Sequence, residues 1–345
     1  MKRHVAAALS ALAATALLVS GCGGGGGSSS GTAASASTPS PKGGAAQLQQ
    51  RFVKVVDSVS KSVVQIETTR GLGSGIVFDG KGDIVTNNHV VTGAKRVRVT
   101  FPDGRTSPGS VVGNFPAGDL AVVRASSPHG DAARFGDSSK LQVGDFVLAV
   151  GNPLGLRSSV TQGIVSSMGR TVSEPGGVTL PSAIQTSAAI NPGNSGGALV
   201  DLSGQVVGIP TLAALDPELG GSAAPGIGFA IPSNTVENIA QQIIRHGHVV
   251  ASHRAYLGVQ VATVGSGGGA LVAGVQKGGP ADRAGIKPGE LIVSVGGRQT
   301  PTAGALSAAI ATRKPGDRVK LALRTQSGGR RTVTVTLGQL PGRAG

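Results

Sequence analysis

Tryptophan is absent from this chain of 345 residues, and tyrosine and cysteine each occur once. A single cysteine excludes an internal disulfide, so thiol pairing gives no guide to the compartment. Acidic side chains are scarce: 17 Asp and Glu stand against 31 Lys and Arg, a formal net charge of +14. The apolar stretch Val5 to Val19 has 15 residues, short of the roughly 20 that a spanning helix needs. Abundant instead are glycine, with 57 residues, and proline, with 19. Val, Ala, Leu and Ile supply most of the apolar content in short runs broken by these two, a pattern of many short strands rather than long helices. The expected class is mostly β, and the length allows about two domains plus tails.

Lys2 and Arg3 precede the apolar stretch, and Val19-Ser20-Gly21-Cys22 places small residues before the lone cysteine. That arrangement reads as a secretion signal. Small residues leading into a cysteine resemble a bacterial lipoprotein cleavage site, with Cys22 as the lipidated first residue of the mature chain; ordinary signal cleavage is the alternative. Gly23 to Gly44 is Gly, Ser, Ala, Thr and Pro with almost no apolar bulk. Such a segment cannot offset its ordering entropy, so residues 23–46 are expected to form a flexible tether.

Beyond the tether, Leu48, Phe52, Val55, Val56 and Val59 recur at helical spacing. They predict an amphipathic helix docked on its own domain, with an inter-subunit contact as the alternative. Short strands are expected at Val63 to Thr68, Gly75 to Phe78, Ile84 to Thr86, Arg96 to Thr100, Leu120 to Arg124 and Phe146 to Val150. Asp79-Gly80, Pro102-Asp103-Gly104 and Pro116-Ala117-Gly118 punctuate them as turns, the pattern of a barrel or sandwich.

The chemistry centres on Asn191-Pro192-Gly193-Asn194-Ser195-Gly196-Gly197. Ser195 is the candidate nucleophile. A serine hydroxyl needs a histidine base, an acid to orient that base, and N–H donors for the oxyanion. Gly193, with no Cβ, can aim its N–H and that of Ser195 into one oxyanion hole. His89 follows a short strand, where a lone histidine is more often structural than catalytic. Asp119 opens the apolar run Leu120 to Val123; its simpler reading is a turn residue. A shielded acid there suits holding an imidazole tautomer through Nδ1. The chain order His, Asp, Ser is the trypsin-like order. An α/β-hydrolase places its acid and histidine after the serine and follows the serine with a helix. Here Ala198 to Asp201 and Gln205 to Ile209 read as strands around a Ser203-Gly204 turn.

Five motifs together resemble the HtrA/Deg family of trypsin-like serine proteases with a C-terminal PDZ domain, over about residues 60 to 340. They are Thr86-Asn87-Asn88-His89-Val90, Asp119-Leu120-Ala121-Val122, Gly151-Asn152-Pro153-Leu154-Gly155, the Ser195 loop, and Gly226-Ile227-Gly228-Phe229-Ala230-Ile231-Pro232. The resemblance implies a double β-barrel protease domain over residues 47–247, following a signal over residues 1–22, and a PDZ domain over 248–345. It places His89 and Asp119 on the first barrel and Ser195 on the second. It implies that Ile190 lines the primary specificity pocket, favouring small aliphatic side chains before the scissile bond. It also implies a homotrimer, and an activation loop over Leu212 to Pro225. Ser187 and Ala198 depart from the family's usual Asp and Pro, which bears on how the nucleophile loop is braced.

A helix is expected where Val236, Ile239, Ala240, Ile243 and Ile244 repeat on one face, capped by Ser233 and stopped at Gly247. His246, His248 and His253 lack a Cys or nearby carboxylate to complete a metal set and read as a solvated linker. No cofactor or metal is expected. Tyr256-Leu257-Gly258-Val259 resembles a PDZ carboxylate-binding loop, whose N–H groups capture a peptide's C-terminus beside an added strand. The stretch Gly279 to Ile292 resembles the helix and strand that follow it, with Glu290 for the commoner Asp. From His246 onward there are 13 Lys or Arg and 3 Asp or Glu, a net +10, against +2 for residues 23 to 245. That charge reads as a solvated basic surface, with attraction to anionic lipid or cell-wall polymer as the alternative. Nucleic acid is not an expected partner of a secreted chain. Gly75 to Gly82 lacks the final Ser or Thr of a P-loop, and Gly71-Leu72-Gly73-Ser74-Gly75 lacks the full dinucleotide pattern. The expected function is a membrane-anchored, extracytoplasmic serine endopeptidase acting on unfolded proteins. The competing reading is a catalytically quiet chaperone or PDZ-based binding protein.

Overall fold

The computed structural model describes residues 43–152, 159–173, 178–191, 193–216, 222–264 and 268–342. Cys22 and residues 23–42 of the expected tether lie outside them, as do Pro153 to Gly155 of the third motif and Pro192 of the Ser195 loop. The last residues of the expected tether, Gly44 to Ala46, are instead the first turn of a helix. The amphipathic pattern after the tether forms helix α1 (Gly44–Ser60), which buries Val55 and Val59. Strands β1 (Val63–Thr68), β2 (Gly71–Val77) and β3 (Asp83–Thr86) follow, then the short helix α2 (Asn88–Val91). Strands β4 (Arg96–Thr100), β5 (Thr106–Phe115) and β6 (Leu120–Ala125) close a barrel in the order β1-β2-β3-β6-β5-β4. Its interior is β-branched and aromatic: Val64, Ile66, Ile84, Val99, Phe101 and Val123 are all buried.

Six more strands close a second barrel: β7 (Phe146–Gly151), β8 (Ser159–Ser173), β9 (Thr179–Thr186), β10 (Ala198–Asp201), β11 (Val206–Asp216) and β12 (Ser222–Pro232). Their order is β10-β11-β12-β9-β8-β7. Of the expected loop over Leu212 to Pro225, residues 217–221 lie outside the described residues, and the described flanks, 212–216 and 222–225, are strand. β11 and β12 pair antiparallel as far as Asp216 and Ser222, across residues of low intrinsic strand preference. Pairing with a neighbouring strand overrides that preference.

Helix α3 (Ser233–His246) seals the two barrels together. Its Val236, Ile239 and Ile243 join Val85, Leu120 and Val122 of the first barrel and Leu148, Val200 and Ile209 of the second in one buried cluster. Each such side chain contributes about 1.5–3 kcal/mol on burial. Gly247 ends the helix at φ 73°, its N–H on the Ile243 carbonyl. At the other end Ser233 is the first helical residue and not the cap. Its hydroxyl donates instead to the Gly136 carbonyl at 2.6 Å, a tertiary bond that the local sequence does not reveal.

The remaining chain has its own core. After β13 (Ala255–Tyr256) come β14 (Val259–Thr263), β15 (Ala270–Val275), the short helix α4 (Pro280–Arg283), β16 (Leu291–Val295) and β17 (Arg298–Gln299). Helix α5 (Ala303–Ala311), β18 (Arg318–Arg324), β19 (Arg330–Thr336) and β20 (Gly338–Gln339) complete it. The sheet runs β14-β15-β16-β18-β19, with β17 on β16 and β13 paired to β20. Leu257, Val272, Ile292, Leu306, Leu321 and Leu323 fill its interior. Buried Glu290 accepts from the Lys287 N–H at 2.8 Å and from Arg331 at 2.7 and 2.8 Å. Those bonds from Arg331 hold its carboxyl below the usual glutamate range.

Candidate active site

Asp119 follows the 3-10 turn Pro116–Gly118 and sits in the left-handed region at φ 48°, its N–H on the Pro116 carbonyl. That backbone turns the carboxylate back under helix α2. One oxygen accepts the His89 N–H at 3.0 Å; the other lies 2.9 Å from His89 Nδ1 and accepts the Thr211 hydroxyl at 2.5 Å. The carboxylate is 2% exposed and the imidazole 48%. A buried charge is costly unless hydrogen-bonded, and three donors meet that cost here. The Asn87 amide donates to the Asp119 carbonyl at 3.0 Å. The acid is thus fixed at backbone and side chain, while its imidazole partner faces outward.

Ser195 lies in the turn before β10, on the other barrel. Its hydroxyl donates to the Thr211 carbonyl at 3.1 Å. Thr211 is therefore the meeting point: its side chain holds Asp119 and its carbonyl holds Ser195. Proton transfer from Ser195 to an imidazole requires rotation of the hydroxyl away from that carbonyl.

The glycines around Ser195 answer to geometry. Gly193 adopts φ 107°, which L side chains rarely take. At Gly196, with φ 80°, an added Cβ would stand 2.2 Å from the Ser74 carbonyl oxygen. Among the described residues no acceptor engages the N–H of Gly193 or of Ser195, although both carbonyls are tied down. The Ser74 hydroxyl donates to the Gly193 carbonyl at 2.5 Å and accepts the Asn152 N–H at 2.7 Å. The Ser74 N–H donates to the Ser195 carbonyl at 3.0 Å, and Thr86 donates to the Ser74 carbonyl at 2.6 Å. With the carbonyls held by β2, the two N–H groups are left for a ligand oxygen.

Ser187 keeps its segment braced: its hydroxyl accepts the Ile164 N–H at 3.0 Å, and its own N–H donates to the Ile164 carbonyl at 3.1 Å. Ile190 is buried with Ala188 and Leu199, so close to Gly228 that a Cβ there would meet its Cγ1 at 2.4 Å. In the C-terminal unit, Leu257 and Gly258 connect β13 to β14, with Gly258 at φ 81°. A cavity of about 300 Å³ runs between β14 and α5, lined by Val259, Val261, Leu306 and Ile310, with Pro116, Ala117 and Thr179 at its edge. Arg254 bridges the two units, donating to the carbonyls of Ala117 and Thr179. Burial pulls its pKa down to about 10.

Ser74, Thr211 and Arg254 were not singled out by the sequence. Ser74 lies within the glycine run that reads as an incomplete nucleotide motif, and all three act on groups far away in the chain. Only the small residues flanking Ser74 hinted at a close backbone approach.

Two closed six-stranded barrels with histidine, aspartate and serine gathered at their junction define a trypsin-like serine peptidase fold, here followed by a separate β unit. Residues 73–209 match the trypsin-like peptidase domain family and residues 248–324 the PDZ domain family. The chain belongs to the HtrA-type serine proteases. It is 44% identical over 308 residues to serine protease PepD of Mycobacterium tuberculosis, covering 83% of this chain and 66% of that one. With the periplasmic serine endoprotease DegP of Escherichia coli K12 it shares 41% identity over 261 residues, covering 73% and 54%. The solved structure of the HtrA-type protease AlgW with a tripeptide superposes with a TM-score of 0.58 at 36% identity, covering 84% of this chain and 97% of that one. The chain thus spans between about half and two thirds of these curated relatives' length.

Proposed function

We propose that this protein is an extracytoplasmic serine endopeptidase that cleaves unfolded or misfolded proteins. The observation that carries the proposal is that Thr211 ties Asp119, and through it His89, to Ser195, beside two backbone N–H groups with no acceptor among the described residues. Ser195 Oγ attacks the scissile carbonyl. His89 takes its proton and returns it to the leaving amine. Asp119 holds the imidazole with Nδ1 protonated, and the N–H groups of Gly193 and Ser195 stabilise the oxyanion. Casein digestion by the full chain, and its loss on Ser195→Ala, tests this reading against that of a quiet chaperone.

Ile190 is assigned to the floor of the primary pocket, which selects small aliphatic side chains. A few methylenes in an apolar pocket are worth about 10–200-fold in discrimination. Ile190→Ala is therefore expected to raise kcat/KM for Phe relative to Val before the scissile bond by about tenfold or more. The measurement belongs well below the melting point, because truncating a buried Ile costs about 2–5 kcal/mol. An unchanged ratio assigns Ile190 to barrel packing alone.

The loop Tyr256 to Val259 and the groove beside α5 are proposed to take the C-terminus of an exposed peptide with an apolar last residue. Amidating that carboxylate should weaken binding at least tenfold in a titration, and equal affinity of acid and amide refutes carboxylate capture. We further assign residues 1–22 to a lipoprotein signal, with the mature chain anchored through Cys22. Cys22→Ser is then expected to accumulate as precursor, and intact mass of the membrane form should carry added lipid. A mature N-terminus beyond Cys22 without lipid mass refutes the anchor. A homotrimer would cover the exposed Val143 and Phe146, the latter stacked edge-on against Phe52 of α1; sedimentation mass tests it.

A further inference from the structure

The net charge of the C-terminal unit is not spread evenly over it. In β18, Arg318, Lys320 and Arg324 are exposed while Val319, Leu321 and Leu323 between them are buried. The three cations therefore share the outward face of the sheet. On β19 the same face carries Arg330, Thr332, Thr334 and Thr336, all exposed. Arg330 stands directly across the ladder from Arg324. Like charges placed opposite each other destabilise a sheet, and nothing on this face relieves them. Among the described residues, none of Arg318, Lys320, Arg324 and Arg330 has an ion pair; Arg324 donates once, to the Gly268 carbonyl. The three acids of this unit are engaged elsewhere: Glu290 with Arg331, which alternates onto the other side of β19, Asp317 with the Lys314 N–H and Asp282 with the Gly278 N–H. A depression of about 550 Å³ opens beside the cations, lined by Ser294, Gln299, Ala322, Arg324, Arg330 and Thr332.

We propose that this outward face of β16, β18 and β19 docks on an anionic phospholipid bilayer. Arg318 and Arg324 are six residues apart, so the cationic row extends about 20 Å at strand rise. The row is flanked on β19 by the exposed hydroxyls of Thr332, Thr334 and Thr336, which can donate to phosphate oxygens. Nucleic acid is a poorer match, because no aromatic ring on this face offers a stacking platform. Phosphate oxygens between Arg324 and Arg330 remove the like-charge repulsion that the free protein carries. The proposal is independent of peptide hydrolysis and of a lipid on Cys22, since it concerns only the face presented by the folded C-terminal unit.

The test uses the full chain as Cys22→Ser with Thr334→Cys, which makes residue 334 the only thiol, labelled with an environment-sensitive fluorophore. Vesicles carry a headgroup quencher and are either neutral phosphatidylcholine or a mixture with about 30% phosphatidylglycerol. Quenching of the label is expected with the anionic vesicles alone and should fade in high salt. Each basic residue near an anionic surface is worth about fivefold in association. The triple substitution Arg318→Gln, Lys320→Gln, Arg324→Gln is therefore expected to weaken the response by about a hundredfold. Its thermal melt should be no lower than that of the parent, because all three side chains are exposed and the repulsion between Arg324 and Arg330 is removed. Equal quenching with both vesicle types overturns the proposal, as does quenching that survives the triple substitution. Absence of quenching combined with charge-dependent binding of soluble polyphosphate also overturns it, in favour of a soluble polyanion.

Discussion

Ser195→Ala is expected to lower kcat on casein or a short chromogenic peptide by about 10⁶-fold, because the change deletes the nucleophile itself. The fold should be untouched. The hydroxyl makes one protein hydrogen bond, to the Thr211 carbonyl at 3.1 Å, and such a bond is worth about 1 kcal/mol. The bond from the Ser74 N–H to the Ser195 carbonyl does not involve the side chain. Far-UV circular dichroism and the melting temperature should therefore stay close to wild type while product formation disappears. Cleavage within tenfold of wild type would remove Ser195 from the chemistry. A wild-type chain that cuts neither substrate but suppresses aggregation would favour the chaperone reading.

The barrels were legible where short β-branched runs lie between turn signals. Val63–Thr68 and Arg96–Thr100 form strands with the expected bounds. Other strands hide their periodicity. β5 contains Pro108, Gly109 and Gly113, and β8 is rich in Ser, Gly and Thr; both owe their conformation to partners on either side more than to intrinsic preference. The same cause explains the hairpin of β11 and β12, where a glycine- and alanine-rich stretch reads as loop but pairs as strand.

For the site, residue type and order were enough to single out His89, Asp119 and Ser195, since few side chains can serve as base, acid and nucleophile. The supports around them were not legible. Thr211 reaches Asp119 across 92 positions and Ser74 reaches Gly193 across 119. Both are common hydroxyl residues inside strands. Nothing in their neighbourhood marks them until the barrels bring β2 and β11 against the nucleophile turn. Arg254 is hidden for the same reason: it reads as one more cation of a basic unit, yet it is half-buried and donates to two backbone carbonyls of the preceding barrels.

Asp119→Asn is expected to cost about 10⁴-fold in kcat with little change in KM, because it alters the tautomer of the base without removing it. Asparagine is the informative replacement. It matches aspartate in size, and it is one of the few residues that tolerates the left-handed backbone held here at φ 48°. The carboxylate accepts from three donors, the His89 N–H on one oxygen and Nδ1 and the Thr211 hydroxyl on the other. An amide has only one acceptor oxygen. If its NH₂ faces His89 Nδ1, the imidazole must present an unprotonated Nδ1 and carry its proton on Nε2, where it can no longer take one from Ser195. If the amide is turned over, NH₂ opposes the His89 backbone N–H, two donors meet, and helix α2 must shift. Both arrangements disable the base, whichever the protein adopts. Thr211→Val serves as the comparison, since it removes one donor to the carboxylate but leaves its charge and its hold on Nδ1. It should slow the reaction far less than Asp119→Asn. An Asp119→Asn enzyme within tenfold of wild type, or one no slower than Thr211→Val, would show that Asp119 does not set the state of His89.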